Sequence, residues 1–143
     1  NLLIVARTDA RASQGFAAAM ERAAAFIEDG ADITFVEAPE SVDELRAIPS
    51  GLPGTPQLVN VVIGGKTPVL GFAELDAMGF GLVLYANAAL QGALYGMQAA
   101  LSQLKNEGRL GEDGPVASFK ERQRVVGKPF YDALEARYAG PKG

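Results

Sequence analysis

The chain contains no cysteine and no histidine. Without cysteine, these residues supply no disulfide framework, thiol nucleophile or cysteine-ligated metal. Without histidine, they also lack the imidazole that most often moves protons or binds metals near neutral pH. Any acid or base chemistry within this sequence therefore falls to carboxylates, lysine, tyrosine or water.

Long apolar runs and concentrated positive charge are also missing. No run approaches the roughly 20 residues of a membrane span, and no basic-then-apolar leader is present, so we expect a cytoplasmic or organelle-matrix location. The 13 lysines and arginines are scattered and the net charge is −4, which argues against nucleic acid or a membrane surface as partner. With 48% hydrophobic and 21% charged residues in 143, the composition is typical of one globular domain.

Four short apolar runs alternate with helical patterns along most of the chain. Such runs, bounded by polar residues, are typical of strands buried in a parallel sheet. The predicted strands are LLIVA (2–6), DITFVEA (32–38), PQLVNVV (56–62) and FGLVLYA (80–86), and the predicted helices cover 15–31, 41–48, 71–79 and 87–108. Alternating strands and helices predict a parallel α/β architecture with right-handed crossovers.

The last part of the sequence differs in character. Residues 109–118 are polar and glycine-rich and predict a loop, whereas 119–140 are charged and amphipathic, with a break near Gly127-Lys128-Pro129 that we attribute to the proline. We therefore predict two regions, residues 1–108 with four strand-helix units and residues 109–143 with a loop and a helical tail. The tail is expected to pack on the outside or on a partner subunit.

Polar side chains stand at the ends of all four predicted strands. They are Arg7, Glu37, Asn60 and Asn87, and the carboxyl ends of parallel strands are where α/β proteins bind ligands. We predict a site for a small carboxylated molecule, with Arg7 as bidentate carboxylate clamp, Asn60 as neutral donor, and Glu37 binding a hydroxyl or moving a proton. The alternative for each residue is a surface ion pair or a loop hydrogen bond.

Two further features bear on ligand chemistry. The stretch IGGKT (63–67) lacks the upstream glycine of the phosphate-binding pattern G-x-x-x-x-G-K-[ST], and we interpret it as a mobile loop. Asp9 is interpreted as a helix N-cap or as a partner of Arg7.

Several segments together resemble one enzyme superfamily. The sequence is similar, in order and over nearly its whole length, to the isocitrate lyase/phosphoenolpyruvate mutase superfamily, and within it to the branch with 2-methylisocitrate lyases, 2,3-dimethylmalate lyases, oxaloacetate hydrolases and carboxyvinyl-carboxyphosphonate phosphorylmutases. The segments are VARTDA (5–10), GADITFVEAPES (30–41), LVNVVIGGKTP (58–68) and ELDAMGFGLVLYANAALQGALYGM (74–97).

The resemblance implies a (β/α)8 TIM-type barrel of which this chain is the C-terminal half, strands 5–8, with a C-terminal helical extension. It implies a homotetramer, a dimer of dimers with an exchanged helix, and a Mg²⁺ (or Mn²⁺) ion. The metal ligands are expected mainly from the missing half and none from this chain, although Glu37 would contact the ion through water.

The resemblance also assigns residues and chemistry. Arg7 matches the arginine that contacts substrate carboxylate, Glu37 the glutamate near the substrate hydroxyl and metal waters, and Asn60 a substrate-binding asparagine, whereas Asn87 falls where the family varies. The mutases carry other residues where this chain has VEAP (36–39), which favours a carbon-carbon lyase acting on small 2-hydroxy or 2-oxo di- or tricarboxylates.

Other functions remain open from the sequence. Within the superfamily they are an oxaloacetate hydrolase or decarboxylase and a phosphorylmutase. The resemblance also implies a D-x-D pair that binds the metal and a catalytic loop K-[KR]-C-G-H, and neither pattern occurs in this sequence. We therefore expect the 143-residue chain to be inactive by itself. A further alternative is a doubly wound four-strand domain that binds a ligand unaided.

Overall fold

A four-stranded parallel sheet organises the first part of the computed structural model, which describes residues 2–140. The strands are β1 (Val5–Thr8), β2 (Ile33–Val36), β3 (Gln57–Asn60) and β4 (Leu82–Leu84). They lie in the order β1-β2-β3-β4, and every neighbouring pair is parallel. The predicted parallel α/β fold is confirmed.

Seven helices accompany the strands in the described part of the chain. They are α1 (Ala10–Gln14), α2 (Phe16–Glu28), α3 (Val42–Gly51), α4 (Phe72–Met78), α5 (Ala88–Glu107), α6 (Phe119–Val125) and α7 (Lys128–Tyr138). The chain forms two compact units, one up to Ala89 and one from Leu90 onward. The division predicted between residues 108 and 109 stays a prediction. None of the described helices is both long and apolar enough to cross a membrane.

The core of the first unit lies on one face of the sheet. Val36 and Val59 point to this face and pack with buried residues of α1 to α4, among them Ala23, Leu45 and Leu75. Alternate residues point to the opposite face, where Val5, Leu82 and Leu84 of the outer strands are 39–46% exposed. Burial on the helix-covered face therefore fixes which strand residues face the helices and which face away.

The strand and helix ends depart from the prediction at several points. Strand β1 begins at Val5 rather than residue 2, since the ladder starts where Val5 pairs with Ile33. Helix α1 is not among the predicted helices. Gly15, with φ +90°, separates it from α2. Helix α3 continues past Ile48 to Gly51 with Pro49 inside it, although the residue before a proline is usually biased away from helix.

Hydrogen bonds at the helix ends explain where α2 and α3 stop and start. Helix α2 ends in a Schellman motif, in which the N–H groups of Gly30 and Ala31 donate to the carbonyls of Ile27 and Phe26. Ser41 caps α3 by accepting from the Glu44 N–H at 3.1 Å. The spacing of Ser41 and Glu44 fits a capping box, but Glu44 does not close it, because its Oε2 accepts from the Glu40 N–H at 2.7 Å instead of the Ser41 N–H.

The helical tail, for which the pattern predicts one or two helices, has two, α6 and α7. Ser118 caps α6 by accepting from the Glu121 N–H at 3.1 Å. The break before α7 falls at Gly127, whose φ of +66° is left-handed, and Pro129 occupies the first turn of α7, where proline is tolerated. The attribution of the break to proline is therefore wrong, because the glycine turns the chain and the proline starts the next helix.

Candidate active site

Arg7 lies near the carboxyl end of β1, on the sheet face opposite the helices. It pairs in register with Phe35 of β2, and its guanidinium carbon stands 5.1 Å from the centre of the Phe35 ring. Its Nε and Nη2 donate to the two carboxylate oxygens of Asp9 at 3.0 and 2.7 Å. Asp9 therefore holds one edge of the guanidinium and leaves both Nη1 hydrogens free of that contact.

The contact with Asp9 also fixes the charge of the arginine. The Asp9 hydrogen bond raises the pKa of Arg7 above its ordinary value, against partial desolvation and with help from nearby Glu37. In return the Arg7 hydrogen bond lowers the pKa of Asp9. Of the two interpretations of Asp9, its side chain acts as partner of Arg7: Asp9 stands at the N-cap of α1 but makes no side-chain capping bond there.

Glu37 follows β2 and faces Arg7. Its N–H donates to the Thr8 carbonyl at 3.0 Å, which extends the β1-β2 ladder by one bond. Its Oε2 lies 3.5 Å from Arg7 Nη1. That oxygen is buried and has no hydrogen-bond partner among residues 2–140. The structure thus brings Arg7 and Glu37 together and leaves a buried carboxylate oxygen able to accept a proton donor.

Asn60 is the last residue of β3. Since Phe35 pairs with Leu58, continuing the register by two residues puts Asn60 level with Glu37 and on the same sheet face. Asn60 Oδ1 is also buried without a hydrogen-bond partner in the described part of the chain. Asn60 is predicted from the sequence as a hydrogen-bond donor, whereas its atom without a partner, Oδ1, is an acceptor.

Asn87 takes a different position. It lies in an exposed turn between β4 and α5, three residues beyond the last β4 residue. Among the described residues, no hydrogen bond or ion pair links it to Arg7, Glu37 or Asn60. The predicted set therefore divides into three residues at the sheet edge and one residue in a peripheral turn.

A second cluster of charges next to this site was not found from the sequence. Arg11 of α1 donates through Nε and Nη2 to the two carboxylate oxygens of Glu44, at 3.1 and 2.9 Å. Its Nη2 also lies 3.2 Å from Glu40, and Lys66 Nζ is 3.4 Å from the other oxygen of Glu40. Arg11 and Glu44 are 33 residues apart in sequence, so no local pattern reveals their contact.

Burial opposes ionisation of Glu44, but the Arg11 hydrogen bonds and the Glu40 N–H outweigh it and hold the pKa of Glu44 below its ordinary value. The hydrogen bond to Glu44 raises the pKa of Arg11. The two side chains are only 20% and 17% exposed. The pair is therefore a charged, half-buried link between α1 and α3.

The remaining groups offer little to a metal or to a second site. Within residues 2–140 there is no group of three or more histidine, cysteine, aspartate or glutamate side chains placed to hold a metal ion. A groove of about 640 Å³ lies along α6 and α7, lined by residues that include Phe119, Arg124 and Pro129. None of its lining residues belongs to the strand-end cluster, which is where the polar chemistry converges.

A parallel sheet that carries an arginine, a carboxylate and an amide at successive strand ends defines an α/β protein with a polar cluster at the carboxyl edge of its sheet, the edge where such proteins bind ligands. The chain belongs to the phosphoenolpyruvate phosphomutase family, whose model matches residues 1–105. The resemblance to the isocitrate lyase/phosphoenolpyruvate mutase superfamily is thereby confirmed.

Individual relatives give the same result. The chain is 37% identical over 140 residues to 2,3-dimethylmalate lyase from Eubacterium barkeri, covering 97% of this chain and 48% of that protein. It is 36% identical over 135 residues to 2-methylisocitrate lyase from Halalkalibacterium halodurans, covering 94% and 44%. The chain thus spans about half the length of these relatives.

The fold comparison agrees with the sequence comparison. The structure of oxaloacetate acetylhydrolase in complex with 3,3-difluorooxalacetate superposes with a TM-score of 0.87 at 26% identity, covering 99% of this chain and 47% of that one. Phosphonopyruvate hydrolase in complex with oxalate and Mg²⁺ superposes with a TM-score of 0.80 at 29% identity, covering 96% and 50%.

Proposed function

We propose that this chain is the C-terminal half of a Mg²⁺-dependent carbon-carbon lyase that acts on small 2-hydroxy or 2-oxo di- or tricarboxylates. The carrying observation is that Glu37 Oε2, 3.5 Å from Arg7 Nη1, and Asn60 Oδ1 on the next strand are both buried with no hydrogen-bond partner among residues 2–140. A ligand that suits this arrangement presents a carboxylate to the cation and a hydroxyl or water hydrogen to the oxygens. A 2-hydroxy acid offers both groups on adjacent carbons.

The half-barrel proposal is supported by the sheet. The strands follow chain order and the helix-packed core lies on one face, as in an arc of a (β/α)8 barrel. A doubly wound sheet would reverse its strand order and cover both faces with helices. The match to about half of each relative accords with four of eight strand-helix units.

Each residue of the cluster has a distinct proposed role. Arg7, oriented by Asp9, binds a substrate carboxylate through Nη1, which Asp9 does not use and which lies 3.5 Å from Glu37 Oε2. Glu37 accepts the hydrogen of the substrate hydroxyl and is placed to move that proton as carbon-carbon cleavage leaves a carbonyl behind. Asn60 Oδ1 accepts a second hydrogen at the same point, and Asn87 contacts only the outer part of a larger substrate.

The donor set suits a supporting role toward Mg²⁺ rather than a complete metal site. Glu37 and Asn60 present oxygen atoms, the ligand type that Mg²⁺ prefers, but Glu37 is the only carboxylate between them. We propose that Glu37 binds the ion through water and that other parts of the protein supply its direct ligands. When bound, the ion supplies charge neutralisation at the substrate oxygen.

Hydrolysis of oxaloacetate to oxalate and acetate is the second candidate, favoured by the match to oxaloacetate acetylhydrolase. The lyase is preferred because 2,3-dimethylmalate lyase and 2-methylisocitrate lyase are 37% and 36% identical to the chain, whereas the acetylhydrolase is 26% identical. We further propose that the complete protein is a homotetramer assembled by helix exchange.

The test is a substrate panel with the product of the complete gene. We expect it to cleave 2,3-dimethylmalate or 2-methylisocitrate in Mg²⁺ buffer, to lose activity in EDTA, and to regain it when Mg²⁺ is restored. Release of oxalate and acetate from oxaloacetate, with neither lyase substrate cleaved, would select the hydrolase. Activity that survives EDTA would contradict the metal proposal, and cleavage by the 143-residue chain alone would contradict the half-barrel proposal.

A further inference from the structure

The loop that follows Glu37 adopts a conformation that needs support from outside. Ala38 has a φ of +56°, a left-handed conformation that is unfavourable for a residue with a Cβ. Pro39 after it is fully buried. The backbone turn directly after Glu37 is therefore strained, and strained turns persist where surrounding contacts fix them.

The contacts that fix this turn converge on Glu44. Its Oε2 accepts the Glu40 N–H at 2.7 Å, two residues beyond Ala38. Its backbone N–H donates to Ser41 Oγ at 3.1 Å. Glu44 thus holds the far end of the turn, while the Glu37 N–H bond to the Thr8 carbonyl holds the near end.

Arg11 connects this turn to the segment that carries Arg7. It lies four residues after Arg7, and its Nε and Nη2 donate hydrogen bonds to the two carboxylate oxygens of Glu44 at 3.1 and 2.9 Å. Its Nη2 also lies 3.2 Å from Glu40. The parallel N–H bonds of a guanidinium to a carboxylate define direction as well as distance.

We propose that Arg11 and Glu44 are positioning residues that set the relative placement of Arg7 and Glu37 by clamping the turn at residues 38–41 to α1. This inference rests on the proposed function, since it assigns the clamp to the same site. Neither residue is proposed to touch the substrate. Lys66, 3.4 Å from Glu40, extends the same link to the loop between β3 and α4.

The experiment compares Arg11→Met and Glu44→Gln with the native protein expressed from the complete gene. Arg46→Met is the matched control, because Arg46 pairs with Asp43 on the exposed side of α3, where the two side chains are 63% and 95% exposed. A displacement of about 1 Å at a reacting group can cost 100-fold in rate. We expect kcat to fall about 10- to 100-fold in both clamp variants with KM changed less than threefold, and the control to match the native protein.

Two additional variants separate positioning from general stability. Arg11→Lys keeps the charge but loses the paired donors, so we expect it to recover kcat only in part. The exchanged pair Arg11→Glu with Glu44→Arg restores the charge complement, and we expect it to recover more activity than either single change. A native kcat in Arg11→Met, or a loss matched by the fraction of protein unfolded at the assay temperature, would overturn the proposal.

Amide hydrogen exchange gives a readout that does not depend on catalysis. We expect the amides of Glu37, Ala38, Glu40 and Ser41 to exchange at least tenfold faster in Arg11→Met than in the native protein or Arg46→Met. If the native protein cleaves no panel substrate but this exchange difference is found, the proposed function fails and the clamp stands. If the native protein is active and residues 37–41 exchange at the same rate in all three proteins, the clamp fails and the proposed function stands.

Discussion

Replacing Arg7 by lysine tests the substrate clamp while keeping the positive charge. The guanidinium donates hydrogen bonds to Asp9 through Nε and Nη2, and its Nη1 faces Glu37. A lysine ammonium is a single donor centre and cannot hold Asp9 and a ligand carboxylate in the same paired geometry. The change therefore removes at least one charged hydrogen bond in the bound complex.

The expected size follows from that one bond. A hydrogen bond to a charged group contributes about 1.5–3 kcal/mol, and about 1.4 kcal/mol corresponds to a factor of ten. We expect kcat/KM to fall about 10- to 150-fold. Arg7 and Asp9 are 48% and 64% exposed, and exposed ion pairs contribute about 1 kcal/mol or less, so the free energy of unfolding should change by less than about 1 kcal/mol.

Steady-state kinetics on whichever panel substrate is cleaved, together with urea unfolding, measures both quantities. Arg46→Lys is the control, since it makes the same chemical change at an exposed position of α3. A kcat/KM within twofold of the native value in Arg7→Lys would refute the role of Arg7 as carboxylate clamp. A large loss of folded protein would refute the claim that its role is functional rather than structural.

Three further predictions concern stability. Glu44 has a folded-state pKa below its ordinary 4.5, so its stabilising contribution is present above pH 4.5 and disappears as pH falls through the folded pKa. Glu44→Gln should therefore reduce the fall of the urea unfolding midpoint in this acidic pH range. An unchanged pH dependence of the midpoint would contradict this prediction. Leu45→Ala, at a fully buried core position, should lower the free energy of unfolding by about 2–5 kcal/mol, whereas Val69→Ala, at an exposed position, should lower it by less than about 1 kcal/mol. Ala38→Gly removes the Cβ that makes the left-handed φ unfavourable, so it should raise the free energy of unfolding by up to about 1 kcal/mol. The control Ala47→Gly, inside α3, should lower it by about 0.5–1 kcal/mol. Equal effects at the two positions would show that Ala38 is unstrained.

The sequence reveals the strands and helices of this fold well, because burial imposes its pattern on the residues. The predicted runs of five to seven residues overlap all four strands, and Ser41 marks the start of α3. Strand ends are harder to predict, since they depend on pairing: Leu2 and Leu3 are as apolar as a strand but precede the first register pair of β1.

The candidate site could be predicted only where its residues follow from strand ends. Arg7, Glu37 and Asn60 were found because parallel strands bring their carboxyl ends to one edge. The Arg11–Glu44 ion pair is not predicted from the sequence, because Ser41 and Glu44 also fit the capping-box pattern. In that pattern the Glu44 side chain would accept a hydrogen bond from the Ser41 N–H. The choice between those partners is made by tertiary contacts that no short window of sequence contains.

The central claim is that Arg7, Glu37 and Asn60 together bind a 2-hydroxy carboxylate. A crystal structure of the complete gene product with malate and Mg²⁺ tests it most directly. We predict a malate carboxylate within hydrogen-bond distance of Arg7 Nη1, with the 2-hydroxyl donating to Glu37 Oε2 or Asn60 Oδ1. Malate bound with its carboxylates away from Arg7, or with both oxygens still unpartnered, would contradict the account.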